Sequence, residues 1–517
     1  MPTSFAKRIL YLSMFIALAA RLPLAWKGPN LLIPKVVSDD MFYYLTIARN
    51  MAEGHGATAD GEHISNGFHF LYTLLLVPLA AISGDDNDLF IHLALSMLTV
   101  FSILSAWFLF RLLHSCCSEM SALFVSILWL CAPFPVLVAL NGVEAPVYVF
   151  SIGLVSLAYV KLKTSGTDSL SPWLGLGLLA ALSILARLDG GILAAIIALE
   201  LFIFLRRRRQ AVSFCAGALA GIAPWFLWSY LRTGFILQVS GKAIRYQTHL
   251  IFSQRGGGVT DWLRQAAAQF RMGIGTVAGI SGINTTTFFI LCIISIALFL
   301  GLALSGRDST REWAGRVKHV LFLPVYGLVA FLLYACWLWY TQNWYFYSVF
   351  FSGCIVLGIL LDFFVMRIFA AGRVCRAVFW GILLVFTIAS SIWMDMRWWR
   401  RGLFWWQAEM YNASLWCRTN LPPDARLGSF NSGIIGYYSG HHVINLDGVT
   451  NPDAYRAMLR GRSLSYIRHE NIRYLVESER SLRFRALHAE RDFLGSLKLI
   501  HRERLLPENN VGVYEVK

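Results

Sequence analysis

The chain has 517 residues, of which 57% are hydrophobic and 15% charged. Soluble domains carry about a quarter charged residues, and apolar runs of about 20 residues, the length a helix needs to cross a bilayer, recur along this chain. A soluble globular protein is excluded. The net charge of +15 falls largely in short basic clusters between apolar runs, as positive-inside sorting requires, so it does not indicate a nucleic-acid partner. Nine cysteines form no CxxC pair, and Cys116-Cys117 are too close in sequence to build a metal cage. Cys417 alone lies in the polar C-terminal region, which therefore has no internal disulfide.

The first apolar run, 6–26, carries Lys7 and Arg8 at its start. Ala17-Leu18-Ala19 fits a cleavage pattern, but the apolar core continues past it, so an uncleaved anchor is expected. A long loop, 27–88, follows. Ser38 is suited to cap a helix over Asp39–Met51 that ends near Gly54, with Phe42, Leu45, Ile47 and Met51 on an apolar face lying along the membrane. The apolar stretch 68–83 is short and contains Pro78, so it reads as an interfacial or re-entrant helix.

Ten further spans are expected at 89–113, 119–139, 145–163, 171–186, 190–205, 211–231, 284–304, 318–338, 345–366 and 377–396. With the first, this predicts a polytopic α-helical protein of about eleven transmembrane helices. Placing the N-terminus inside puts Arg111, Lys161, Lys163, Arg206–Arg209, Arg307, Arg311, Arg316, Lys318, Arg367, Arg373 and Arg376 inside as well. Everything after 397 then lies outside. Trp398, Trp399, Trp405 and Trp406 read as an interfacial anchor, followed by a small, net basic α/β domain. Strands are expected at Leu427–Phe430, His442–Leu446 and Arg473–Val476, and helices over 409–420 and 452–468. The division is thus 1–396 and 397–517. Asn284-Thr285-Thr286 and Asn412-Ala413-Ser414 match a glycosylation sequon, a signal that means little if the source is bacterial.

On this topology one face collects acidic, basic and aromatic groups: Asp39 and Asp40, Glu144, Arg187 and Asp189, Lys242 and Arg245, and Trp344-Tyr345. Each has a bland alternative. The aspartates suit the first turn of their own helix, Glu144 suits a helix start, Arg187 and Lys242 can snorkel, and the aromatics suit an interfacial belt. Their convergence instead favours one outward-opening cavity holding Asp39, Glu144 and either Lys242 or Arg187.

Asp39-Asp40-x-Phe42-Tyr43-Tyr44, Asn66-Gly67-Phe68-His69, Asn141-Gly142-x-Glu144, Arg187-x-Asp189-Gly190, Asn420-Leu421-Pro422-Pro423-Asp424, Gly433-Ile434-Ile435-Gly436-Tyr437-Tyr438 and Asn445-Leu446-Asp447-Gly448 occur in that order. This series resembles bacterial GT-C glycosyltransferases that use polyprenyl-phosphate sugars, above all arabinofuranosyltransferases of the AftB kind. Relatives often carry Pro after the histidine, where this chain has Phe70. The resemblance implies a GT-C fold and inverting transfer of a sugar, a pentofuranose such as arabinofuranose, to a periplasmic glycan or protein. It implies Asp39 as base, and Asp40 as the group that orients the acceptor or helps hold a divalent cation (Mg, Mn or Ca). It also implies Lys242, Arg245 and Arg187 on the donor phosphate, and His69 and Glu144 on sugar or acceptor hydroxyls, with Asn66, Asp189 and Tyr345 completing the substrate-binding set. No organic cofactor is implied. The implied location is the bacterial plasma membrane. A lipid-linked-sugar flippase, another transporter or a noncatalytic glycan-binding protein is the alternative from other classes.

Overall fold

The Asn87–His114 helix shows how local chemistry starts these elements: the Asp86 carboxylate accepts from the N–H groups of Asp88 and Leu89 at 3.0 and 2.9 Å, satisfying two of the four donors every helix start leaves unpaired. The computed structural model describes residues 3–254, 256–280, 308–338, 341–368, 372–486, 489–503 and 510–517. The span expected at 284–304, the Asn284 sequon and Arg307 lie outside the described residues.

Among the described residues, six helices are long and apolar enough to cross a membrane: Ser4–Ala25, Asn87–His114, Ala145–Ser165, Arg208–Thr233, Asn343–Val365 and Cys375–Arg401. The expected span at 119–139 is broken into Glu119–Cys131 and Pro133–Ala139, bent by 50°. Pro133 forces Ala132 into extended backbone and ends the first segment. Three other expected spans are present as shorter apolar helices, Ser171–Ala186, Gly190–Phe204 and Phe322–Trp337. The 68–83 stretch forms Phe70–Ser83 and is likewise short. The fold class expected from the sequence is therefore present, with fewer full-length spans among the described residues. Cysteine-accessibility labelling checks the orientation. Positions replacing Arg206–Arg209 are expected to label from inside, and positions near Asp39 and in the C-terminal layer from outside. Outside labelling of the arginine run would overturn this topology.

The last long helix ends at Arg401, and the C-terminal layer begins with the helix Gln407–Asn420. Its five strands are β1 (Arg426–Ser429), β2 (His442–Asn445), β3 (Tyr474–Ser478), β4 (Leu497–Arg502) and β5 (Val511–Val516). The sheet order is β2-β1-β3-β5-β4. β1 runs parallel to β2 and β3, whereas β5 is antiparallel to β3 and β4. The helix expected over 452–468 is two, Pro452–Leu459 and Ser463–His469. Gly461 between them has a φ of 63°, which a continuing helix cannot accommodate.

This layer is packed into the membrane half. Ile434, Tyr437 and Tyr438 of the helix Ser432–Tyr438 belong to the same buried apolar cluster as the long helices. Phe42 meets the Tyr437 and Tyr438 rings at 5.2 and 5.5 Å. The apolar face of the Asp39–Ala52 helix, expected to lie along the membrane, is instead covered by protein: Met41, Phe42, Leu45, Ile47 and Ala48 are all buried.

Candidate active site

Ser38 stands at the N-cap of the Asp39–Ala52 helix, yet its hydroxyl makes no capping bond. Its backbone N–H instead donates to the Asn141 carbonyl at 3.1 Å, which ties this helix start to the Asn141–Glu144 loop. Asp39 does not cap its own helix. Its Oδ1 accepts from the Ile434 N–H at 2.7 Å, and the Gly433 N–H also bonds the carboxylate. One residue earlier, the Ser432 N–H donates to the Tyr43 hydroxyl at 2.9 Å. Gly433 is required by this close approach, because a Cβ there would lie 2.3 Å from the Asp39 carbonyl oxygen. The Gln407 amide, oriented to satisfy its neighbours, donates to the Val37 carbonyl at 2.9 Å and accepts from the Asp39 N–H at 3.0 Å. Asp39 is thus held by backbone groups of the C-terminal layer.

Asp40 is exposed and, together with Asp39, lines an open cavity of about 530 Å³. Membrane-half residues Ser38, Asp39, Asp40, Gln342 and Trp344 form one wall. Trp405, Trp406, Gln407, Asn431, Glu477 and Arg480 are among those closing the other. Three indole rings beside amide and carboxylate groups suit a sugar, whose ring has apolar faces and a hydroxyl edge.

Both aspartates are weaker acids than usual. Burial pushes the Asp39 carboxyl up to about 7; its backbone hydrogen bonds oppose the rise, and the nearby Glu477 and Asp447 charges add to it. Asp40 is also pushed up to about 7, first by its depth in the protein and then by the charges of Asp39 and Glu144. Solvent reaching Asp40 through the cavity (the residue is exposed) moderates that rise.

Tyr44, one turn beyond Asp40 on the same helix, leads to a second group of charges. Its hydroxyl donates to Glu144 Oε2 at 3.0 Å. Arg187 Nη1 bonds Glu144 Oε1, and Arg187 Nε bonds Asp189 Oδ1 at 3.1 Å. The guanidinium stacks over the Tyr345 ring, 4.4 Å from its centroid. Tyr334 donates to Asp189, and His69 Nε2 lies 3.5 Å from Glu144 Oε1. Burial alone would raise the Glu144 carboxyl, but its partners hold it below the ordinary value. Burial lowers His69, and the nearby His69 and Arg187 charges are the main influences that lower Glu144. Trp344 lines the cavity while its neighbour Tyr345 covers Arg187, so one short segment contributes to both groups.

The other expected site residues fall elsewhere. Asn66 is fully buried. Its amide donates to Ser229 Oγ at 2.6 Å and to the carbonyls of Phe235 and Leu237, and its Oδ1 accepts from the Val239 N–H at 3.1 Å. Asn66 therefore shapes the turn that starts the Val239–Gln254 helix and does not line the aspartate cavity. The adjacent Gly67 lets the loop press on the C-terminal layer, since a Cβ there would meet the Val449 carbonyl oxygen at 1.8 Å. Lys242 and Arg245 lie exposed on the Val239–Gln254 helix, over the rings of Phe235 (4.7 Å) and Trp337 (4.8 Å). The single cavity expected for Asp39, Glu144 and Lys242 or Arg187 is therefore three neighbouring places. The open cavity holds the aspartates, the buried ion-pair group holds Glu144 and Arg187, and the outer helix carries Lys242 and Arg245.

Glu477, Asn431, Gln407 and Gln342 are cavity residues that the motifs did not mark. Glu477 accepts from the N–H groups of Phe430, Asn431 and Ser478 at 2.8–3.1 Å. It is a lone glutamate in a strand sequence, and nothing local distinguishes it from a surface carboxylate. The divalent cation expected at Asp40 finds no gathered set of ligands there. Among the described residues, one group of three His, Cys, Asp or Glu ligand atoms lies within 4.8 Å, and Asp40 is not in it.

The fold is of the GT-C type. ArnT from Cupriavidus metallidurans, in its crystal structure bound to undecaprenyl phosphate, is similar with a TM-score of 0.60 at 12% identity, over 96% of this chain and 97% of that one. AglB from Archaeoglobus fulgidus, an archaeal oligosaccharyltransferase solved with an inhibitory peptide and a dolichol-phosphate, is similar with a TM-score of 0.56 at 14% identity, over 95% of this chain and 72% of that one. Residues 400–513 match a family model described as a domain of unknown function, DUF8728. No curated protein matches the sequence. At these identities the likeness speaks for the fold alone.

Proposed function

We propose that the protein is an integral-membrane glycosyltransferase that moves a sugar from a polyprenyl-phosphate donor to an acceptor hydroxyl at the outer face of a bacterial plasma membrane. The observation that carries this reading is the placement of the aspartate pair: raised carboxyls at the wall of an indole-lined cavity, one tied into the C-terminal layer and the other free toward the cavity. The ordered motifs favour a pentofuranose such as arabinofuranose as the donor sugar, with a surface glycan or protein as acceptor.

Asp40 is the better base, although the motif series suggested Asp39. A base must reach the hydroxyl it deprotonates, and Asp39 Oδ1 is already occupied by the Ile434 N–H. In the proposed step Asp40 takes the acceptor proton, and the acceptor oxygen bonds the anomeric carbon. The bond from that carbon to the phosphate oxygen breaks, and the polyprenyl phosphate leaves with the electron pair. One displacement inverts the anomeric centre. Lys242 and Arg245 are the exposed cations suited to the leaving phosphate. Arg187 positions Glu144 and Asp189 and shapes the floor beside the cavity.

The test is release of polyprenyl phosphate by the purified protein from a panel of synthetic lipid-phosphate pentoses and hexoses, with membrane glycan extract as acceptor. Sugar-specific release coupled to labelling of acceptor supports the reading. Absence of release from every donor, with transbilayer movement of a lipid-linked sugar in vesicles, would replace it with the flippase alternative.

A further inference from the structure

A second constellation lies away from the cavity, where the first outer loop meets the C-terminal layer. The loop turns back on itself through the bridge between Thr58 and Ile64, which presents Glu62 and His63 side by side. Asp60 accepts from the His63 and Glu62 N–H groups at 2.8 and 3.0 Å, and its other oxygen lies 2.8 Å from His63 Nδ1. That carboxylate orients the imidazole and leaves Nε2 as the free ring nitrogen, the arrangement found behind metal-bound histidines. His63 Nε2 faces Glu470 Oε2 at 3.5 Å. Glu62 Oε1 faces His442 Nε2 at 3.6 Å. Both ring nitrogens of His442 are closed off from solvent and hydrogen-bond to nothing among the described residues. Ligand atoms of Glu62, His63 and Glu470 lie within 4.8 Å of one another.

These separations have a specific meaning. In a tetrahedral zinc site with bonds of about 2.1 Å, adjacent ligand atoms are about 3.4 Å apart. The His63 Nε2–Glu470 Oε2 and Glu62 Oε1–His442 Nε2 pairs each stand near that spacing; Glu62, His63 and Glu470 already form a mutually close set, and His442 approaches it from the Glu62 side. Charge points the same way. Asp60, Glu62 and Glu470 face one fixed cation, Arg426, which pairs with Glu62 at 2.8 Å and stands 3.6 Å from Glu470. Three carboxylates outnumber the one guanidinium, an excess of negative charge that a bound cation would offset. Two imidazoles and two carboxylates suit zinc better than the oxygen-only sets that magnesium and calcium prefer.

We infer that Glu62, His63, His442 and Glu470 form a structural binding site for a divalent transition ion of the zinc type, with Asp60 as the positioning residue behind His63. Its donors come from the membrane half (Glu62, His63), the start of β2 (His442) and the end of the Ser463–His469 helix (Glu470), so the ion clamps the C-terminal layer to the first outer loop. None of these residues lines the aspartate cavity, and the inference stands independently of the proposed transfer reaction.

The experiment uses full-length protein in detergent, stripped with a chelator and titrated with zinc chloride alone. Metal analysis after desalting is expected to find about one zinc per chain, and zinc is expected to raise the thermal unfolding temperature. The pair His63→Ala with Glu470→Gln should lose both effects. Asp60→Asn should keep the site but weaken zinc affinity about 10–100-fold, the usual worth of an orienting partner. His442→Ala is the milder variant should the pair fail to fold, and it too should weaken binding. The inference is overturned if wild type retains no more zinc than the folded variants, or if zinc raises the unfolding temperature of all of them equally. Glu62, His63 and Glu470 would then be ion-paired among themselves and with Arg426.

Discussion

Asp40→Asn is expected to lower sugar transfer by about 10²–10⁴, the usual contribution of a general base, while leaving donor binding near wild type. The pH profile of the wild-type enzyme gives the same group a second signature. With the pair pushed up to about 7, the base carries a proton at lower pH, so turnover should rise with pH and level off above about 7. The two carboxyls interact and titrate as a pair. Asp39→Asn removes one of the charges acting on Asp40 and should move the acid limb to lower pH without abolishing transfer. Stability has the opposite sense. A carboxyl raised in the folded state binds more protons there than in the unfolded chain, so its favourable contribution is present at low pH and is lost as pH rises toward 7. Asp40→Asn should therefore unfold at a higher temperature than wild type at pH 8, and at a similar one at pH 4. Near wild-type transfer by folded Asp40→Asn would remove it as the base.

The second large effect concerns Arg187. Its side chain and those of Glu144 and Asp189 are 7%, 2% and 10% exposed. Breaking a buried ion pair by removing one partner costs about 3–5 kcal/mol, because it leaves an uncompensated charge. Arg187→Met should therefore lower the unfolding temperature sharply and increase protease sensitivity. Adding Glu144→Gln to that variant should restore part of the loss, since one of the two stranded carboxylates is then neutral. An Arg187→Met protein as stable as wild type, but with weakened donor binding, would return Arg187 to the phosphate-clamp role that the motif series suggested.

Much of the architecture is legible along the chain because its causes are local. Apolar length, basic flanks and the Asp39 helix start each depend on neighbouring residues, and the helices over 87–114, 145–165 and 171–186 lie where periodicity and flanking residues put them. Some breaks also have local causes. Pro133 divides one expected span and Gly461 divides one expected helix, and both positions carry ordinary chain-breaking residues. The strands β4 and β5 were not expected individually. Of the two, β4 has little buried on either face, so no alternating apolar pattern marks it.

The sequence by itself determined that this is a multi-span membrane protein with a small α/β layer, and that an aspartate pair begins an outer-loop helix. It did not determine which aspartate is free. That depends on Gly433 and Ile434, almost 400 residues away in the chain, whose N–H groups take up Asp39 and leave Asp40 facing the cavity. Nor did it determine that Arg187 is committed to Glu144 and Asp189, because an arginine beside a membrane surface looks the same in sequence whether it snorkels, clamps a phosphate or neutralises buried carboxylates. The physical reason is common to both. Helix and span formation follow from short-range sterics and hydrophobicity, whereas the ionisation and availability of a side chain follow from desolvation and from partners that only tertiary packing brings within hydrogen-bond reach.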